Sequence, residues 1–120
     1  MGNPVVRSFE NSCNGLRTAW REDHSFRNAT VQCAVAIMIA TVLYFSGHIG
    51  IFYWLILVGA VVPILVVETI NTAIEAVTDK ASPERHPLAK KAKDIGSAAV
   101  LLTRIYAILC WSVVLVNQAS

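Results

Sequence analysis

Glu68, Asn71, Glu75 and Asp79 recur at i, i+3, i+7 and i+11. At about 100° per residue these positions share one helix face, within roughly 60–80° of arc. Glu68 directly follows the apolar run 51–67. A carboxylate at that boundary is costly to place unless it has a partner or a purpose, and the bland alternative is the solvated end of a helix. Glu68 and Glu75 stand about 10 Å apart along a helix axis. That is too far for both to grip one magnesium ion, whose ligands lie at about 2.1 Å, so the two carboxylates should have different tasks. A metal at Glu75 needs a second carboxylate. Asp23, in the cluster Glu22-Asp23-His24, is the candidate, from this chain or from a neighbouring copy.

The segment after the stripe carries the opposite charge. Lys80, Arg85, Lys90, Lys91 and Lys93 lie there, with Glu84, His86 and Asp94 among them. A basic run beside a membrane most often only sets topology or binds acidic lipid. Here it adjoins the carboxylates. Acids that hold a metal beside cations that hold phosphate oxygens suit a magnesium nucleotide. Neither G-x-x-x-x-G-K-[ST] nor G-x-G-x-x-G occurs, so the nucleotide site expected is of neither P-loop nor protein-kinase type.

The elements that must position these groups are helices in a membrane. The chain is 55% hydrophobic, with a mean hydropathy of +0.54. The apolar residues are gathered into blocks at 29–45, 51–67 and 95–116. Each block has the roughly 17–22 residues that cross about 30 Å of hydrocarbon. The expected fold is therefore all-α, a membrane protein of three spans in a single domain over 1–120. The turn Ser46-Gly47-His48-Ile49-Gly50 joins the first two spans and is flanked by aromatic residues, as at a membrane interface. Block two keeps helical spacing to about Asp79, and Ser82-Pro83 breaks it. The third helix is expected to start near His86-Pro87. Before the first span, Val5, Val6, Phe9, Cys13, Leu16 and Trp20 alternate with polar positions at helical period. That pattern predicts an amphipathic surface helix over 5–22. The polar segment 1–28 and the lack of an A-x-A-like site argue against a cleavable signal peptide in the first block.

Charge gives the orientation. Of the ten Lys and Arg, all except Arg104 lie before the first block or between the second and third. The positive-inside rule then places the N-terminus and the acidic and basic cluster in the cytoplasm. A net charge of +2 and the lack of any nucleic-acid motif argue against DNA or RNA as partners. Cys13, Cys33 and Cys110 are odd in number and widely spaced, which argues against a disulfide framework or a zinc site. Pro63 inside the second helix should free a carbonyl one turn back. Arg104 lies within the third span, where an arginine faces protein or snorkels to a head-group.

Glu68-x-x-Asn71-Thr72-Ala73-Ile74-Glu75-x-x-x-Asp79 resembles the signature of the prokaryotic diacylglycerol kinase family, as does Lys93-Asp94-Ile95-Gly96-Ser97-Ala98-Ala99-Val100. Gly15-Leu16-Arg17-x-Ala19-Trp20 and Phe26-Arg27 are similar to its N-terminal segment. The resemblance covers nearly the whole chain in order. It implies a homotrimer in the bacterial cytoplasmic (inner) membrane, with active sites between subunits, and transfer of the ATP γ-phosphate to a membrane lipid hydroxyl with Mg2+. By the same resemblance Glu68 is the general base, and Glu75 and Asp23 are the metal carboxylates. The family usually has Glu where this chain has Asp23. Glu84, His86, Lys93 and Asp94 fall at nucleotide-contacting positions, with Arg85 between them. Arg17, Trp20 and Ser97 fall where the family contacts lipid, and Asn71 and Asp79 are supporting. Gly15-Leu16-Arg17 and Gly96-Ser97-Ala98-Ala99 look like the diacylglycerol branch. Asn71-Thr72-Ala73 and the run His86 to Lys91 also resemble the undecaprenol kinases. Diacylglycerol is the acceptor expected and undecaprenol the runner-up.

Two rivals belong to other classes. A small proton-coupled transporter would also carry an intramembrane carboxylate, but near the midplane and often with internal repeats. Here the acids sit at one end and no repeat is evident. A helical scaffold would leave the paired acidic and basic clusters without a reason.

Overall fold

A computed structural model describes residues 2–119 and consists of four helices: α1 (Pro4–Glu22), α2 (His24–Phe45), α3 (Ile51–Ala81) and α4 (Pro87–Ala119). The last three are long and apolar enough to cross a membrane. The all-α, three-span architecture with an N-terminal amphipathic helix is the one expected, and each helix boundary falls within a few residues of the sequence reading.

Local chemistry explains the ends. Asn3 Oδ1 accepts from the Val5 N–H at 2.8 Å, with Pro4 in the first turn. Both are favoured helix starts. α1 stops at Asp23, whose backbone turns extended (φ −114°, ψ 114°). The Asp23 N–H donates to the Ala19 carbonyl at 2.9 Å, and its Oδ1 accepts from the Phe26 N–H at 2.8 Å. One residue thus closes α1 and caps α2. Arg27 fixes the corner by donating from Nη1 to the Trp20 and Arg21 carbonyls, at 2.9 and 3.1 Å. α2 ends in a tight turn in which Gly47 takes φ +82°, a conformation that favours glycine. Ile49 tucks into the core as the chain reverses.

α3 is the central helix. α2 and α4 each pack along it, and among the described residues their backbones do not approach one another. Small side chains let the helices close up: Ala40, Ala60 and Ala107 are buried at these interfaces. Leu57, Val61, Ile64 and Val114 fill the remaining space. Polar bonds cross the same seams. Trp54 Nε1 donates to Thr41 Oγ1 at 3.1 Å, and Trp111 Nε1 to the Leu57 carbonyl at 3.1 Å. The Cys33 thiol donates to the Val61 carbonyl at 3.4 Å. α3 runs through Pro63 without ending.

Candidate active site

Three helix faces, polar except at Val100, face one another across a cleft of about 260 Å³. α2 supplies Ser25, Asn28 and Gln32; α3 supplies Glu68, Asn71 and Glu75; α4 supplies Ser97, Val100 and Arg104. Each set has the spacing i, i+3, i+7, so each is one face of its helix. The cleft exists because α2 and α4 both lean on α3 but stand apart. Glu68 and Asn71 are each only 5% exposed and are the only buried polar or charged side chains among the described residues. The negative charges of Asp23 and Glu75 and the positive charge of Arg104 all reach Glu68.

Asn71 sits at the centre. Its Nδ2 donates to Glu75 Oε1 at 3.3 Å, holding the half-buried carboxylate against the helix. Its Oδ1 is buried without a hydrogen-bond partner among the described residues. It lies so close over Gly96 on α4 that any Cβ there would collide with it. Gly96 therefore lets α4 pass close to the polar face of α3.

A second, larger pocket of about 640 Å³ opens one turn beyond Glu75. It is formed where the connection from α3 to α4 folds over Asp79. Glu84, Arg85, His86, Lys93 and Asp94 line it together with Asp79. Lys93 pairs with Asp79 across the helices. That hydrogen bond lifts the Lys93 ammonium above the ordinary lysine pKa. Lys90 and Asp94 form an exposed pair at 2.6 Å along α4. His86 stands just before α4, and its Nδ1 accepts from the Leu88 N–H at 3.1 Å.

The residues expected from the sequence divide accordingly. Glu68, Asn71, Glu75 and Ser97 meet in the cleft. Asp79, which shares their helix face, belongs instead to the second pocket. Asp23 lies at the α1–α2 corner with one carboxylate oxygen committed to the cap. Arg17 and Trp20 are exposed on α1 and do not line the cleft. Arg17 Nη1 donates to Asn14 Oδ1 at 3.3 Å. Gln32, Asn28 and Ser25 escaped the sequence reading, although their i, i+3, i+7 spacing is the same signal that marked α3. Arg104, the arginine of the third span, lies in the cleft.

No group of three or more His, Cys, Asp or Glu among the described residues is arranged to hold a metal. A nucleotide-bound Mg2+ asks for less. It is commonly held by one or two carboxylates, with phosphate oxygens and water completing the octahedron. Glu75 and Asp23 each have an oxygen available for that role, so the donor chemistry fits.

The family model described as "Prokaryotic diacylglycerol kinase" matches residues 10–115. A diacylglycerol kinase of Escherichia coli (strain K12) is 36% identical over 111 residues, covering 92% of this chain and 88% of that protein. One of Pseudomonas aeruginosa is 36% identical over 114 residues, with 94% and 89% covered. One of Helicobacter pylori (strain 26695) is 38% identical over 100 residues, with 83% and 75% covered.

Proposed function

Because this chain belongs to the prokaryotic diacylglycerol kinase family and is a lipid kinase with ATP as co-substrate, we propose that it phosphorylates diacylglycerol to phosphatidic acid, with Glu68 as general base. The observation that carries the proposal is the buried Glu68 in a cleft at the end of the apolar run of α3, on the helix face that leads to a pocket of mixed charge.

The lipid hydroxyl enters the cleft from the bilayer beside Glu68 and Ser97. Glu68 takes the hydroxyl proton as the oxygen attacks the γ-phosphorus. The bond to the β–γ bridging oxygen breaks, and ADP leaves. A base must be within hydrogen-bond reach of the proton it removes, which fits a carboxylate held at the depth of a lipid head-group rather than in open water. The nucleotide occupies the second pocket. Arg85 and the Asp79-paired Lys93 are the cations for its phosphates there, beside Glu84, His86 and Asp94. Glu75 and Asp23 would hold Mg2+, which when bound neutralises charge on the transferring phosphoryl group. Asn71 keeps Glu75 aimed toward that junction.

The same reading makes the active unit a homotrimer in the bacterial cytoplasmic membrane, with α1 on the cytoplasmic surface. A cleft open between α2 and α4 leaves room for a neighbouring chain, and the basic residues gather at that end of the spans. Arg17 and Trp20 on α1 are then lipid-contacting residues that reach the substrate from the surface.

The test is phosphorylation with labelled ATP, offering diacylglycerol and undecaprenol side by side in mild detergent. Label is expected in diacylglycerol and none when excess EDTA removes the divalent ion. Label in undecaprenol alone would move the acceptor to the runner-up, and label in neither would refute the lipid acceptor.

A further inference from the structure

Arg104 is the one Lys or Arg within the apolar blocks 29–45, 51–67 and 95–116. Its place relative to Glu68 follows from the packing of α3 against α4. Asn117 Nδ2 meets the Tyr53 hydroxyl, Trp111 Nε1 meets the Leu57 carbonyl, and Gly96 meets Asn71. In that antiparallel register Glu68 lies level with residues 99 and 100. Arg104 is then about one helical turn deeper, about 6 Å toward the middle of the bilayer. Its Nη1 donates to Gln32 Oε1 at 2.7 Å. This bond bridges α2 and α4, whose backbones do not otherwise approach, and so forms the floor of the cleft.

The guanidinium is not satisfied by that bond. Arginine carries five N–H donors. Among the described residues Arg104 makes its hydrogen bond to Gln32 and no ion pair. Glu68 attracts it from above but does not pair with it. Unused charged donors at hydrocarbon depth are expensive and call for an acceptor. The cleft is where the lipid stands when its hydroxyl is at Glu68, so the substrate can bring that acceptor to the guanidinium.

Building on the reading of Glu68 as the base, we propose that Arg104, held by Gln32, is a specificity-determining residue that binds an ester carbonyl of the acceptor lipid. In a diacylglycerol the ester carbonyls lie a few bonds below the free hydroxyl, on the hydrocarbon side. A hydroxyl at Glu68 therefore brings a carbonyl toward Arg104. A polyprenol has no oxygen beyond its hydroxyl and would lay an apolar chain against bare guanidinium donors. A site built to hydrogen-bond its substrate rejects an analogue that lacks the group, because the site's own donors are left unpaired. The pair thus selects ester-linked glycerolipids over polyprenols and over ether-linked glycerolipids.

The experiment compares 1,2-diacylglycerol with its dialkyl ether analogue of equal chain length, which keeps the hydroxyl and removes both carbonyls. kcat/KM is measured for each lipid with the unmodified protein and with Arg104→Met in mixed micelles. The unmodified protein should prefer the ester by roughly ten- to a hundredfold, the range of a hydrogen bond to a charged donor. In Arg104→Met that ratio should fall toward one, with the change carried mainly by KM for the ester. A ratio near one in the unmodified protein would overturn the proposal, and this arm stands even if the variant does not fold. A variant that slows both lipids by the same factor, with the ratio kept, would also overturn it and leave Arg104 a structural role. Phosphorylation of neither lipid by the unmodified protein is a distinct result, which would strike the kinase reading itself.

Discussion

An Asn in place of Asp23 separates two roles that the carboxylate combines. Asp23 caps α2 through Oδ1 and is the proposed partner of Glu75 at the metal. Asn caps a helix about as well as Asp, whereas Ala costs about 1 kcal/mol at such a position. Asp23→Asn should therefore keep the stability of the fold while weakening Mg2+–ATP binding. Asp23→Ala should lose both. Denaturation in graded SDS beside nucleotide affinity distinguishes them. An Asn variant that binds Mg2+–ATP normally would leave Asp23 with the cap alone. The shorter acid also has a local reason here: it reaches the Phe26 N–H from the corner residue itself, a task that its length suits.

At the scale of the element, the contact between Asn71 and Gly96 sets how closely α4 passes α3. A methyl at position 96 would push on the far end of the Asn71 side chain. Two stability effects oppose each other in Gly96→Ala: about 1 kcal/mol of helix propensity gained against roughly 1–3 kcal/mol of overpacking. The net change in stability should run from neutral to about 2 kcal/mol of destabilisation. Activity should fall by roughly tenfold, a barrier change of about 1.4 kcal/mol, because Asn71 must swing away and release Glu75. Unchanged activity would show that Asn71 does not position the acid. This pair also shows where sequence reasoning stops. The α3 stripe was legible because four polar residues repeat within one helix beside an apolar run. The three spans, the Gly47 turn and the α1 amphipathic face were legible for the same reason: each is a period within one segment. The Asn71–Gly96 approach and the Gln32–Arg104 bridge join separate segments, and no period within either one announces them. Asp79 shares the stripe by angle, yet the loop carrying Glu84 to His86 folds over it and draws it into the other pocket. Ser25, Asn28 and Gln32 repeat the stripe's spacing, but short polar residues at the start of a span look like an ordinary helix entry.

At the scale of the molecule, the apolar faces of α2, α3 and α4 remain widely exposed in one chain, and the cleft is open between α2 and α4. Chemical crosslinking or native mass measurement in mild detergent should find a trimer, and a fully active monomer would contradict the shared site. In the proposed reading the two pockets divide the reaction along the bilayer normal: acceptor chemistry at the level of Glu68, nucleotide chemistry at Glu75 and above. Glu68→Gln and Glu75→Gln each remove one charge and nearly keep the shape, so they should fail differently. The most direct test measures Mg2+–ATP affinity and turnover for both variants. Glu68→Gln should bind nucleotide almost normally and lose about 10²–10⁴ in turnover, as for removal of a positioned general base, while Glu75→Gln should lose nucleotide affinity. Loss of affinity in Glu68→Gln with affinity kept in Glu75→Gln would contradict the assignment of base and metal ligand.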